Sequence, residues 1–287
     1  MATISLPSYG AVRTVGAMAT VAATAPKRTL RRDLWWLESA GLLVLFSAFI
    51  LYSVYAGLVN ANYYADPYLS PFYSPCISAN CAHLTFGAPI VGEWWNLAPA
   101  IFIVGFPLSF RLTCYYYRKA YYRAFFWSPA ACSVPDARAA YSGETKVPFI
   151  WQNIHRWTWY PAVVIATILA YDALLAFRMP TAPGAHTYTF GIGLGTVLMT
   201  VNVALILLYT FSCHFCRYLV GGRLDRFWGR PLSLRLWRAV SALNVHHGRY
   251  AIWSLISVGA VEVYIRMLAM GWIRDPAFIL GQGFVLR

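Results

Sequence analysis

Cys213 and Cys216 frame the run Cys213-His214-Phe215-Cys216. In a helix, that three-residue step puts both sulfurs on one face with Cβ atoms about 5–6 Å apart, close enough to share a metal ion. Four of the six histidines (His155, His214, His246, His247) and four of the six cysteines (Cys114, Cys132, Cys213, Cys216) fall near the ends of long apolar stretches or in the loops beside them. Thiolate and imidazole suit zinc, copper or iron–sulfur chemistry. Two cysteines with two histidines match a Rieske-type two-iron, two-sulfur centre and equally a tetrahedral zinc site; residue chemistry alone does not separate them. A bis-histidine haem needs ligands at haem depth on facing helices, and the apolar interiors hold no histidine.

Two carboxylates form a second group. Asp172 and Glu262 sit well inside apolar stretches, where a charge costs about 2.5–3.5 kcal/mol on insertion scales. They are candidates for proton transfer, or for pairing with Arg178 and Arg266. The run Gly191-Ile192-Gly193-Leu194-Gly195 superficially resembles a nucleotide loop, but within a span small residues signal close helix packing.

The elements that position these groups follow from composition. Hydrophobic residues make up 59% of the 287 and charged residues 11%, against about 25% charged in soluble domains. The expected fold class is therefore an all-α membrane protein, a five-transmembrane-helix bundle with spans near 37–59, 96–114, 157–178, 187–211 and 250–270. Residues 1–36 read as a tail and not a signal peptide, 37–270 as the anchor, and 271–287 as a second tail. Nineteen of the 23 Lys and Arg fall in the N-terminal tail, at Arg111, in 115–156 and in 212–249, whereas 60–95 has none. The positive-inside rule puts the N-terminus in the cytoplasm and the C-terminus outside. Net charge of +13 is thus topological and gives no nucleic-acid footprint. Trp35-Trp36, Trp94-Trp95 and Trp157/Trp159 suit an aromatic belt.

Topology divides the cysteines. Cys76 and Cys81 are external and are expected to form a disulfide. Cys114, Cys132, Cys213 and Cys216 face the cytoplasm, where cysteine pairs more often bind metal or do redox work. His155 opens the third span and His246-His247 the fifth, level with Cys213.

The segments SCHFCRYLVGGRLDRF, LNVHHGRYAIWSL, TCYYYRKAYYRAFFWSPAACSV and GETKVPFIWQNIHRW resemble the membrane-anchor subunit of actinobacterial succinate dehydrogenases (respiratory complex II), from about the first span to the fifth. The resemblance implies a multi-pass plasma-membrane subunit that docks the iron–sulfur subunit, which carries the flavoprotein subunit, and passes electrons from succinate to menaquinone or ubiquinone. Many members hold two b haems through histidines within the spans, which are missing here. The chain looks like the mycobacterial subclass with a Rieske-type [2Fe-2S] cluster. That carries the histidine ligands onto His155 and His247, with Cys213 and Cys216 as the expected sulfurs and Cys114 and Cys132 as rivals. Trp151, Arg156, Trp157, Tyr160, Arg217, Asp225 and Arg249 are quinone-site candidates by position, and Asp172 and Glu262 candidates for compensating protons. The alternatives are a di-haem anchor of the same complex, an ion- or proton-coupled transporter, and a quinone-linked thiol oxidoreductase using Cys76 and Cys81.

Overall fold

The computed structural model describes residues 31–128, 131–135, 145–147, 149–182, 184–222 and 229–287. Four helices are long and apolar enough to span a membrane: α1 (Leu37–Leu58), α4 (His155–Leu175), α5 (Leu194–Phe211) and α8 (His247–Ala269). A fifth span comes from α2 (Pro99–Thr113) with α3 (Tyr115–Phe125), which turn by 79° at Cys114. The chain is an all-α membrane bundle with small sheets at one end. Helices α4, α5 and α8 form its centre, joined by α2. The flank helix α1 buries only Ser39, Phe46 and Ala56, which leaves its apolar surface for lipid or partner chains.

The ends where α2 and α5 finish and α4 and α8 begin carry the basic residues and are called the basic end. There lie two short amphipathic helices, α6 (His214–Val220) and α7 (Pro231–Asn244). One core cluster fills this end with Phe110, Cys114, Tyr117, Tyr209, Cys213, Cys216 and Ala251. Another, with Ile103, Ile165, Leu169, Met199, Val203 and Ile265, fills the opposite half.

At the opposite end the loop after α1 folds back over the bundle. It carries the two-residue strands β1 (Tyr64–Ala65) and β2 (Tyr68–Leu69), and it is clamped by a Cys76–Cys81 disulfide, as expected. Ser70 donates to Glu262 and Ser74 to Asp172. Arg266 pairs with Glu262 at 2.6 Å and also donates to the carbonyls of Ala61 and Ala56. Each intramembrane carboxylate is thus satisfied by the loop or by its own helix, as burial demands. Of the two expected ion pairs only the one with Arg266 is present, because Arg178 lies over the Tyr188 ring instead.

Two expectations change. Residues 271–287 do not form a free tail: β5 (Pro276–Ile279) and β6 (Gly283–Leu286) extend a four-stranded antiparallel sheet with β3 (Arg178–Pro180) and β4 (Tyr188–Gly193). The fourth span is accordingly shorter, beginning at Leu194 and not near 187. The Gly191-to-Gly195 run joins strand to helix and does not pack helix on helix. Its sequence has the two-residue alternation of a half-buried strand, with Gly191 and Gly193 on the buried side. Buried Asp275 ties the sheet to the bundle, accepting from Tyr68 at 2.5 Å, Tyr264 at 2.6 Å and the Gly195 N–H at 3.1 Å.

Gly195 admits the Tyr68 ring, since a Cβ there would lie 2.6 Å from it, whereas a Cβ at Gly259 would meet Phe49 at an ordinary 3.6 Å. Gly195→Val is expected to lower stability by about 1–3 kcal/mol through overpacking, seen as a lower Tm of the detergent-solubilised protein, with Gly259→Ala unchanged. A wild-type Tm for Gly195→Val would contradict this packing.

Candidate functional site

The chemistry-bearing residues of the basic end converge through a repeated local pattern. Helix α2 closes with Phe110-Arg111-Leu112-Thr113-Cys114, and α5 with Tyr209-Thr210-Phe211-Ser212-Cys213. In both, the cysteine has extended backbone (φ −66° and ψ 130°; φ −63° and ψ 145°) and caps the following helix; Cys114 also ends α2, whereas α5 ends one residue earlier, at Ser212. That break turns the chain and leaves each thiol buried where the helices meet.

The residue before each cysteine holds one histidine. Thr113 Oγ1 lies 3.0 Å from His155 Nδ1, and Ser212 Oγ lies 2.7 Å from His247 Nδ1. Thr113 gives its hydroxyl proton to the Ser109 carbonyl at 2.7 Å, and Ser212 gives its own to the Tyr209 carbonyl at 3.2 Å. A hydroxyl has one proton; with it on the carbonyl, each oxygen accepts from an imidazole Nδ1–H, the tautomer that leaves Nε2 unprotonated. The Nε2 lone pair of each ring is then free, as a metal-ligating histidine requires.

Each free nitrogen points across to the thiol of the other half. His155 Nε2 lies 3.3 Å from Cys213 Sγ, and His247 Nε2 lies 3.6 Å from Cys114 Sγ. Thr113-Cys114 and Ser212-Cys213 are therefore cross-braced: the hydroxyl of each dipeptide holds one imidazole and its sulfur faces the other. The residue four before each cysteine stacks on the ring that its hydroxyl holds. Phe110 lies 4.7 Å from His155 and Tyr209 lies 5.0 Å from His247, while Phe110 and Tyr209 are 5.3 Å apart. The result is an aromatic row running from one histidine to the other.

Neighbouring elements fix the row. Arg118 of α3 donates to Gln152, in the 3-10 turn that leads into His155, at 3.0 Å. Asn244 donates to the Ser212 carbonyl at 2.6 Å, tying the end of α7 to the site. Gly248 leaves room for Tyr116, whose ring a Cβ there would meet at 2.5 Å.

The remaining sequence candidates are distributed around this centre. Cys216 is buried in the same cluster one turn beyond Cys213, but the sulfur that faces His247 belongs to Cys114. Cys132 is exposed, and its carbonyl accepts from Arg31. His246 is exposed and caps α8, so its neighbour His247 is the buried one. His214 is exposed too, with Arg217 donating to its Nδ1. Trp151, Arg156, Trp157, Tyr160 and Arg249 are exposed on the border around the two histidines, and Arg217 reaches over Trp237. Asp225 lies outside the described residues. Asp172 and Glu262 lie at the opposite end of the bundle, on the loop serines, and are not brought to the cysteines. Reading from the sequence missed Thr113, Ser212, Phe110 and Tyr209; the signal was the matching pattern of aromatic, two residues, hydroxyl, cysteine at two helix ends.

Residues 37–271 match the family described as the actinobacterial succinate dehydrogenase subunit SdhC. The chain belongs to that family. A solved structure, the Mycobacterium smegmatis Sdh1 complex in the apo form, contains a chain 39% identical to this one, with a TM-score of 0.77 over 95% of this chain and 98% of that one. No curated protein sequence matches. This SdhC-family chain is thus a multi-pass membrane-anchor subunit of succinate dehydrogenase. The family match begins at α1 and ends just past α8, so it takes in both halves of the cross-braced site.

Burial pushes the Cys213 thiol up to about 12 and raises that of Cys216. Only a thiolate attacks an alkylating reagent. Cys132 is therefore expected to react with a maleimide at pH 8 at least about a hundredfold faster than Cys114, Cys213 or Cys216, as peptide mapping would read. Equal rates for Cys132 and Cys213 would contradict the buried site.

Proposed function

We propose that this anchor holds a Rieske-type [2Fe-2S] cluster at its basic end through His155, His247, Cys213 and Cys114, and passes electrons from a docked iron–sulfur subunit to a quinone. The supporting observation is the form of the donor set. Among the described residues no three of His, Cys, Asp and Glu gather where one ion would sit; the donors come as two His–Cys pairs within one buried cluster. Structural zinc takes four ligands at one ion, whereas a Rieske-type centre takes two protein ligands per iron, both histidines on one and both cysteines on the other; the site offers two of each, and the His–Cys hydrogen bonds do not themselves give the pairing on the irons. The hydroxyls of Thr113 and Ser212 favour the same reading, since by accepting from Nδ1–H they leave both Nε2 lone pairs free. When bound, such a cluster supplies reversible one-electron transfer at a potential raised by its imidazole ligands.

The chain's own residues do the positioning. Thr113 and Ser212 fix the tautomer and tilt of the imidazoles, and Phe110 and Tyr209 hold their planes. The buried cluster around Cys114, Cys213 and Cys216 excludes water, which lowers the local dielectric at the site. The exposed rim of Trp151, Trp157 and Tyr160 beside His155 offers aromatic surface for a menaquinone or ubiquinone ring, with Arg156, Arg217 and Arg249 as polar partners for its carbonyls. The basic end faces the cytoplasm in this reading, where a soluble electron donor docks. The flavoprotein subunit, attached to the iron–sulfur subunit, supplies the electrons.

Replacing His155 or His247 with Ala in the purified complex is expected to abolish a Rieske-type EPR signal and to reduce succinate:quinone activity at least about a hundredfold, with succinate oxidation by a soluble dye retained. Cys114→Ser is expected to do the same and Cys216→Ser to keep the signal. A signal that survives Cys114→Ser but not Cys216→Ser would move the second sulfur ligand to Cys216. Retention of quinone reduction in both histidine variants would overturn the proposal.

A further inference from the structure

Arg111, in the last turn of α2, is a half-buried cation with no carboxylate beside it among the described residues. Its guanidinium donates to the Tyr117 hydroxyl, to the Ala251 carbonyl at 3.3 Å and to Ser254 Oγ at 3.1 Å. It lies over the rings of Tyr209 and Tyr117, at 4.9 and 5.6 Å from their centroids. All of these partners are neutral. Among the described residues no carboxylate is within ion-pair distance of it, whereas the buried Arg266 is matched by Glu262. Withdrawing a charge from water without a counter-charge costs several kcal/mol, and a membrane protein that bears that cost uses the charge.

A position near the helix C-terminus suits a cation, but that does not account for the direction in which Arg111 reaches. Two of its hydrogen bonds cross to α8, and its aromatic collar belongs to the cysteine–histidine site. Tyr209 is the ring stacked on His247, and Tyr117 and Tyr209 share a core cluster with Cys114 and Cys213. Arg111 stands three residues before Cys114 on the same chain, and its guanidinium lies over the Tyr209 ring that stacks on His247. The counterpart of Arg111 in the other half of the repeat is Thr210, so the charge is applied from one side only.

We propose that Arg111 is a positioning residue of electrostatic type, whose fixed charge favours one-electron uptake at the His155, His247, Cys213 and Cys114 centre; this rests on the two-iron reading above. One electron entering the site from the iron–sulfur subunit makes it one unit more negative. A nearby cation stabilises that state, the more so where water is excluded. A guanidinium stays protonated at all working pH values, so its contribution does not vary with pH. The hydrogen bonds to Ala251 and Ser254 hold the charge beside the site and away from the membrane surface.

The test is an EPR-monitored redox titration of the purified complex carrying Arg111→Gln or Arg111→Lys, with iron content measured alongside. Gln keeps a hydrogen-bond donor and loses the charge; it is expected to disfavour the reduced centre about tenfold, a potential lower by about 59 mV for one electron. Lys keeps the charge and is expected to stay within about twofold of wild type. If Arg111→Gln has the wild-type potential, the proposal fails. If Arg111→Gln does not assemble, a tenfold loss in Arg111→Lys overturns the proposal, because charge alone does not then set the potential. A wild-type complex with no such signal overturns the two-iron reading, and this inference with it. A wild-type signal with an unmoved variant overturns the role of Arg111 alone.

Discussion

The basic end of this anchor depends on two hydrogen bonds, from the Nδ1–H groups of His155 and His247 to the hydroxyls of Thr113 and Ser212. An imidazole that is free to turn or to change tautomer is a poor ligand. Here each hydroxyl also has a carbonyl of its own helix within reach, and with its proton there it accepts from Nδ1–H. That constraint sets the direction of both Nε2 lone pairs. It works only because α2 and α5 stop at this point, and the extended backbone of Cys114 and Cys213 starts the next helix in a new direction with the thiol buried. Helix termination, ring orientation and ligand supply are one local device, used twice.

The same device explains which elements surround it. Histidines at the first positions of α4 and α8 must meet the last turns of α2 and α5, so the four helices have to be neighbours and antiparallel in pairs. The opposite end has the reverse task. There a loop closed by a disulfide lowers its serines onto Asp172 and Glu262, and a four-stranded sheet is tied down through Asp275. In the proposed reading one end of the bundle presents polar chemistry to a partner, and the other spends its polar groups on internal satisfaction.

Much of this was legible in the sequence. The apolar stretches and the distribution of Lys and Arg gave the spans, and the ends of those spans gave the layer of cysteine and histidine. The preference for His247 over His246 came from a family word, and burial agrees with it. Less legible was the sulfur that faces His247. The Cys213–Cys216 spacing drew attention because it is local, whereas Cys114 and Cys213 come together only once two helix ends meet, about a hundred residues apart. The sheet was missed for a related reason. Strands of three to six residues with glycines on the buried side look like the tail of a span, and their pairing partners lie at the far end of the chain. From cost alone the intramembrane carboxylates read as candidates for proton transfer or for ion pairing; the loop serines that satisfy them come from a segment with no Lys or Arg and no periodicity to announce the contact.

The central claim is that two imidazoles ligate one redox centre at the basic end. Pulsed EPR of the reduced, purified complex measures the nitrogen couplings of a cluster directly. Two strongly coupled imidazole nitrogens, both lost when His155 and His247 are replaced, are the result predicted here. A paramagnetic centre with no histidine nitrogen coupling, or a stoichiometric b-haem spectrum in its place, would contradict it.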